Sequence, residues 1–478
     1  MFKLNCLKKN YFLFPVTSLK FIGLILLFIG CNTSNNNDIT FFGGKIKNPK
    51  GEYVYISQGK KVIDSAKINE QSKFSFQLDS IKTGLYSFNH GAEFQYLYLE
   101  PQDSLLIYLN TWDFDESLIF SGKGSAKNNF LINLYLEQEK NEKNFKYNYE
   151  LNEEEFSKII NKGIQDKLTS YNQLIESEEE APSAFFEKLA KAGIYFPYYY
   201  LKEYYPFNHK WHLKLKEFPK LSDDFYSYRK DIDLNDTSLL HYAPYTVFIK
   251  TYLYHLAYTE RDSNPEKTNL ELNYMEIVKD KIHIDSFKDE LLAGSMWKSL
   301  SNEYLTDNDF NKIKDCFFKD CSSKKIKSEL EKSIQQKEKL KKGDTLPLLI
   351  ASNYAGEEVN INTMAKNNTT VIYFWPKDLG RVEMLHEKLK YLQKEYPQVV
   401  FLGIERNKNN ADWNNFIETK KLERNSQFNM PKSSENYSWF EGDMARTIIV
   451  NDKGNIQNAY LFFNDKYFDK HLKKLKKQ

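Results

Sequence analysis

The chain contains four thiols, at Cys6, Cys31, Cys316 and Cys321. Thiols offer nucleophilic exchange, disulfide bridging, metal ligation or lipidation, and their surroundings decide which. Cys316 and Cys321 are five residues apart. On one continuous helix their Cα atoms would lie about 8–9 Å apart, too far to bridge. A helix break at Lys319-Asp320-Cys321-Ser322-Ser323, with a serine capping the next helix, would allow a disulfide in an oxidising compartment. Two buried free thiols and a redox pair are the alternatives. His209 and His212 have the i, i+3 spacing of two metal ligands, but no third ligand is specified nearby, and Pro206 with Trp211 suggests a loop. No metal site and no cofactor is therefore expected. Tyr198-Tyr199-Tyr200 and Trp211 form an aromatic segment that could stack on sugar or peptide; at helical spacing, core packing explains the same residues. The acidic runs Glu153-Glu154-Glu155 and Glu178-Glu179-Glu180 read as solvated helix faces or caps. No Gly-rich phosphate loop or nucleophile elbow is present.

The two remaining cysteines belong to a leader. Scattered lysines (Lys3, Lys8, Lys9, Lys20) precede the apolar run from Phe21 to Gly30, which ends at Cys31. That run is short for a permanent span of a bilayer core roughly 30 Å thick. Ile29-Gly30-Cys31 resembles the lipobox of bacterial lipoproteins, with Phe28 where that pattern prefers leucine. The resemblance implies acylation of Cys31, and Asn32-Thr33-Ser34-Asn35-Asn36-Asn37 reads as a polar tether; an uncleaved signal anchor is the rival. The formal net charge is +2 over 478 residues. With the leader's lysines set aside, the rest of the chain is slightly acidic, so no nucleic-acid partner is expected.

The remaining residues divide by texture. Residues 39–125 show short alternating runs such as Phe74-Ser75-Phe76-Gln77-Leu78, separated by turns such as Asn48-Pro49-Lys50-Gly51, which predicts an antiparallel β-sandwich. Residues 126–342 carry apolar residues at three- and four-residue intervals and predict an α-helical domain, with Ser183 and Thr306 as helix starts. Residues 343–478 alternate β and α. Thr370 to Trp375 reads as a strand buried on both faces, with a helix through Val382, Leu385, Leu389 and Leu392, a strand at Val399–Ile404, and a hairpin at Asn451 to Ile456. The fold class is thus a multidomain α+β chain: leader 1–30, tether 31–38, then three domains.

Gly343-Asp344-Thr345-Leu346-Pro347, Gly356 before Val359, Tyr373-Phe374-Trp375 and Ile449-Val450-Asn451-Asp452-Lys453-Gly454 together resemble the membrane-tethered thiol-disulfide interchange (TlpA-like) branch of the thioredoxin superfamily. Gly43-Gly44-Lys45-Ile46, Asp64-Ser65-Ala66 and Pro101-Gln102-Asp103-Ser104-Leu105 resemble the β-domain that precedes such domains in envelope lipoproteins. The resemblance implies a C-terminal thioredoxin-like α/β domain and a lipid-anchored protein of a Gram-negative envelope, at the outer membrane, facing either the periplasm or the outside. In that family Phe-Trp leads into Cys-x-x-Cys at a helix start, where the dipole stabilises a thiolate. Counted from Phe374-Trp375, the two positions here are Leu379 and Val382, and the family's cis-proline position is Ala445. Hydrocarbon cannot form a mixed disulfide. The expectation is a redox-inactive scaffold with a binding or assembly role and an envelope protein partner. A thiol-disulfide oxidoreductase or antioxidant protein and a glycan-binding lipoprotein are the alternatives.

Overall fold

A computed structural model describes residues 39–264, 269–302, 305–376, 379–406, 408–434, 437–440, 446–463 and 466–475. Cys31 and Ala445 therefore lie outside the described residues, and of Leu379 only the backbone is described.

Eight strands open the described chain: β1 (Ile39–Lys47), β2 (Tyr53–Gln58), β3 (Lys61–Lys67), β4 (Lys73–Asp79), β5 (Gly84–His90), β6 (Glu93–Leu99), β7 (Ser104–Asn110) and β8 (Ile119–Lys123). They form two four-stranded sheets, in the orders β4-β1-β7-β8 and β3-β2-β5-β6. Alternation drives this arrangement: Phe74, Phe76 and Leu78 of β4 point inward while Lys73, Ser75 and Gln77 point out. Inward residues of both sheets share one core, with Phe42, Phe88 and Leu97 fully buried. The pairing is not wholly antiparallel as the turn signals predicted. β1 runs parallel to β7, with Phe42 opposite Leu105. Hairpin turns specify only neighbouring strands, whereas β1 and β7 meet after the chain has built the other sheet.

The middle of the chain is helical: α1 (Ser125–Phe145), α2 (Glu153–Ser177), α3 (Ala184–His212), α4 (Ala243–Ser263), α5 (Leu270–Lys281), α6 (Asp285–Ser301), α7 (Asp307–Asp320) and α8 (Lys324–Lys339). Side chains cap the starts. Ser183 accepts from the Phe186 N–H, Thr306 from Asp309 and Ser323 from Ile326. The acidic run at Glu153 begins α2, where Glu155 and Asn152 form a reciprocal capping box. The loop expected around Pro206 and Trp211 is instead helix, because α3 continues through both Pro197 and Pro206. Each proline forfeits one backbone hydrogen bond. Both rings are buried, so packing of this long apolar helix outweighs the loss.

The C-terminal region contains β9 (Ile350–Ser352), β10 (Glu358–Asn360), α9 (Ile361–Met364), β11 (Thr370–Phe374), α10 (Leu379–Glu395), β12 (Val400–Glu405), α11 (Asn410–Lys420), β13 (Gln427–Asn429), α12 (Tyr437–Phe440), β14 (Arg446–Val450), β15 (Ile456–Phe462) and α13 (Lys466–Leu475). The sheet order is β10-β9-β13-β12-β11-β14-β15. Central β11 is parallel to β12 and antiparallel to β14. Its residues alternate between two cores. Val371, Tyr373 and Trp375 pack with α10, α11 and α13, and Ile372 and Phe374 with the lead-in and α12. The succession β11-α10-β12, then β14-β15-α13, is a βαβ unit followed by a ββα unit.

Candidate functional site

The end of β11 is where a thioredoxin-like domain would present its sulfur. Here Val382, in the first turns of α10, is 2% exposed within the core that contains Trp375 and Leu385. The Trp375 indole N–H donates to Gln427 Oε1 at 3.0 Å, and the Gln427 amide donates to the Tyr373 hydroxyl at 2.9 Å. Gly403 on β12 makes room for this buried network: a Cβ there would lie 2.3 Å from Gln427 Oε1 and 2.6 Å from the Tyr373 hydroxyl. On the other face of β11, the guanidinium carbons of Arg406 and Arg446 lie 4.5 and 5.5 Å from the Phe374 ring centre. Arg446 donates to the Trp439 carbonyl at 2.6 Å. The described part of the strand end is thus packed hydrocarbon, indole and guanidinium.

The internal cysteines sit elsewhere, in the core of the helical region. The helix break expected between them exists, since α7 ends at Asp320 and Ser323 caps α8. No disulfide forms; both are free thiols. Cys316 faces the Asp320 carboxylate at 3.7 Å and Cys321 the Ser323 carbonyl at 4.0 Å. Burial pushes each thiol up to about 11, and nearby Asp320 and Asp289 add to the effect. This is the opposite of an activated thiolate. Two pH units above the ordinary 9.0 lower the thiolate fraction at pH 8 about 100-fold. Native protein should therefore react with iodoacetamide at pH 8 at least that much more slowly than unfolded protein, read by mass spectrometry.

The aromatic segment does not make one face. Successive residues of an α-helix diverge by about 100°. Tyr198 packs toward Gly163 of α2, and Tyr199 stacks on Tyr228 with ring centres 4.2 Å apart. Tyr200 lines a cleft on another side, and Trp211 is 74% exposed at the end of α3. The paired histidines are occupied structurally. His209 Nδ1 lies 2.8 Å from the Tyr149 carbonyl, and His212 stacks on Tyr149 and lies 3.5 Å from Glu150. Among the described residues no group of three His, Cys, Asp or Glu is placed to hold a metal.

The cleft that Tyr200 lines has a volume of about 500 Å³ and lies between β6, α1, α3 and the start of α4. Phe94, Tyr96 and Tyr242 form an edge-to-face run, with ring centres 5.9 and 5.3 Å apart. The Tyr96 hydroxyl accepts from the Ala243 N–H at 2.9 Å, which ties β6 to α4. Gly193 lets Tyr242 seat, because a Cβ there would stand 2.4 Å from its hydroxyl. Asp115 closes one end and accepts from the Gln95 amide at 2.9 Å. Burial raises its carboxyl pKa, and the charges of Glu93 and Glu116 push the same way. Sequence spacing could not reveal this cleft, whose residues come from five separate segments. Of the aromatic segment singled out in the sequence, Tyr200 lines it.

No protein-family model matches the chain, and no curated protein matches it. Similar solved structures exist. One is a putative thiol-disulfide oxidoreductase from Bacteroides vulgatus, at 19% identity, covering 29% of this chain and 99% of that one, with a TM-score of 0.26. Another is a putative thiol:disulfide interchange protein DsbE from Chlorobium tepidum, at 14% identity over 28% of this chain and 98% of its own, with a TM-score of 0.26. A third is the thioredoxin domain of a thiol-disulfide oxidoreductase from Bacteroides vulgatus, at 18% identity, covering 29% and 97%, with a TM-score of 0.23.

Proposed function

We propose that this chain is a lipid-anchored envelope protein whose thioredoxin-like domain serves binding or assembly rather than thiol exchange. The observation that carries this reading is the pairing of two facts. The positions where the related redox motif holds sulfur are Leu379 and Val382, and the cysteines of the folded region are free thiols raised by burial inside the helical core. A thiol exchanger needs an accessible sulfur that ionises near neutral pH. Acylation of Cys31 would hold the domains at the membrane, at the outer membrane in this reading, and a protein partner in the envelope would give the scaffold its purpose.

Two measurements test it. Full-length protein in detergent should reduce insulin no faster than buffer with dithiothreitol alone; turnover that disappears in Cys316→Ser would establish the oxidoreductase instead. Cells fed radioactive palmitate should label the wild-type chain and not Cys31→Ser, and equal labelling of both would remove the anchor from the proposal.

A further inference from the structure

The cleft between β6 and the helices has walls and charge of a particular kind. Its sides are aromatic rings and aliphatic groups, including Phe94, Tyr96, Tyr242 and Val247. Carboxyls on its lining include Glu93 and Asp115, the first of which acts on the second through its charge, and among the described residues no Lys, Arg or His lines it. An anionic ligand would meet repulsion there. A neutral sugar could stack on the rings yet would leave the repulsion between Glu93 and Asp115 in place. A cation relieves it, and the faces of the tyrosine rings add an attraction of about 0.5–2 kcal/mol for a cation lying over them. The volume of about 500 Å³ is within the range of small-molecule sites.

Resting on the binding reading above, we propose that this cleft takes an organic cation on an apolar stem, a primary amine or guanidinium, with its charge beside Asp115 and Glu93 and its stem against Tyr96 and Tyr242. Asp115 is the anchor. It is only partly exposed and is held in place by Gln95 and Tyr135, and burial, with the charges of Glu93 and Glu116, raises its proton affinity against those two hydrogen bonds. A bound ammonium would lower that affinity, so binding should release a proton when pH is near the raised value and should weaken as the group protonates. The cation could be carried by a free diamine or by the lysine of a peptide.

Titration calorimetry of full-length protein in detergent, at low salt, tests this with four probes: cadaverine, the blocked peptide acetyl-Ala-Lys-Ala-amide, hexanoate and N-acetylglucosamine. Saturable binding of cadaverine or the lysyl peptide, absent for hexanoate and the sugar, is expected. The tighter of the two identifies the source as a free amine or a peptide. Asp115→Asn should weaken the bound cation at least 10-fold, and Glu93→Gln, at the exposed rim, several-fold with an unchanged unfolding midpoint. Asp309→Asn, on α7 and away from the cleft, should change nothing. The proposal is overturned if neither cation binds, if hexanoate or the sugar binds as tightly, or if both Asp115→Asn and Glu93→Gln bind like wild type. Such a result would leave the non-redox reading intact, whereas insulin reduction would overturn that reading and leave the cleft's ligand untouched.

Discussion

Glu203→Ala should lower the stability of the helical region by about 3 kcal/mol, measured by urea denaturation, because it strands a largely buried cation. The Glu203 side chain is fully buried on α3. It receives Tyr228 Oη at 2.6 Å and Arg229 Nε at 2.8 Å, both from the 3-10 helix Asp223–Asp231, with a second Arg229 contact through Nη2. His255 Nδ1 on α4 lies 2.6 Å away. The guanidinium is further held between Tyr226 and Tyr252, 3.8 and 4.9 Å from their ring centres. One carboxylate on α3 therefore ties in both the 3-10 helix and α4, and Arg229 Nη2 lies a further 3.1 Å from His255 Nδ1. Replacing both ends, as Glu203→Leu with Arg229→Met, should cost much less than the single change, because no charge is left without its partner. An equal or larger loss in the double variant would mean that packing, not charge compensation, is what Glu203 supplies.

The same site sets a dependence on acid. Burial pushes the Glu203 carboxyl up, but hydrogen bonds from His255 and Arg229 and the Arg229 charge outweigh it, holding the group below its ordinary value. A depressed folded-state value means that the unfolded chain binds the proton more readily. The stabilisation is complete above the ordinary value of 4.5 and is lost as pH falls through the lower folded value. Wild type should lose stability more steeply than Glu203→Gln over that acid range.

The second large effect is expected at the end of β11. Gly403→Ala should cost about 2–4 kcal/mol, since a methyl group there must displace Gln427 or Tyr373 from a fully buried network. Gln427→Leu attacks the same network without adding volume against β11. It removes the acceptor of the Trp375 indole N–H and the amide that bonds the Tyr373 hydroxyl, at about 1–3 kcal/mol for each group left unpaired. Adding Trp375→Phe and Tyr373→Phe to Gln427→Leu should recover much of that loss, because neither donor of this network is then left without an acceptor. If the triple variant is no more stable than Gln427→Leu, the network's polar bonds are not what holds this strand end.

Much of the local structure was legible in the chain. The strict alternation of β4, the six-residue apolar run at β11 and the oxygens of Ser183, Thr306 and Ser323 each state a local preference that tertiary packing did not overturn. Absent sulfur at positions 379 and 382 is equally a property of the sequence, and no fold can add it. Helix α3 is the counterexample: two prolines locally argue for a break, yet its buried apolar face is long enough to outweigh two lost hydrogen bonds.

What the tertiary structure decided are the relations between distant segments. The parallel pairing of β1 with β7, the Glu203 cluster and the aromatic cleft join residues tens to more than a hundred positions apart. Periodicity tells a residue which way to face, but not which partner it will meet across the core. Tyr198, Tyr199 and Tyr200 show the difference: adjacent in the chain, they are turned by the helix toward three separate surroundings, and only Tyr200 reaches the cleft. Cys316 and Cys321 show it too. Their spacing left a bridge open, and the packing of the helical core, which turns one sulfur to Asp320 and the other to Ser323, closed it.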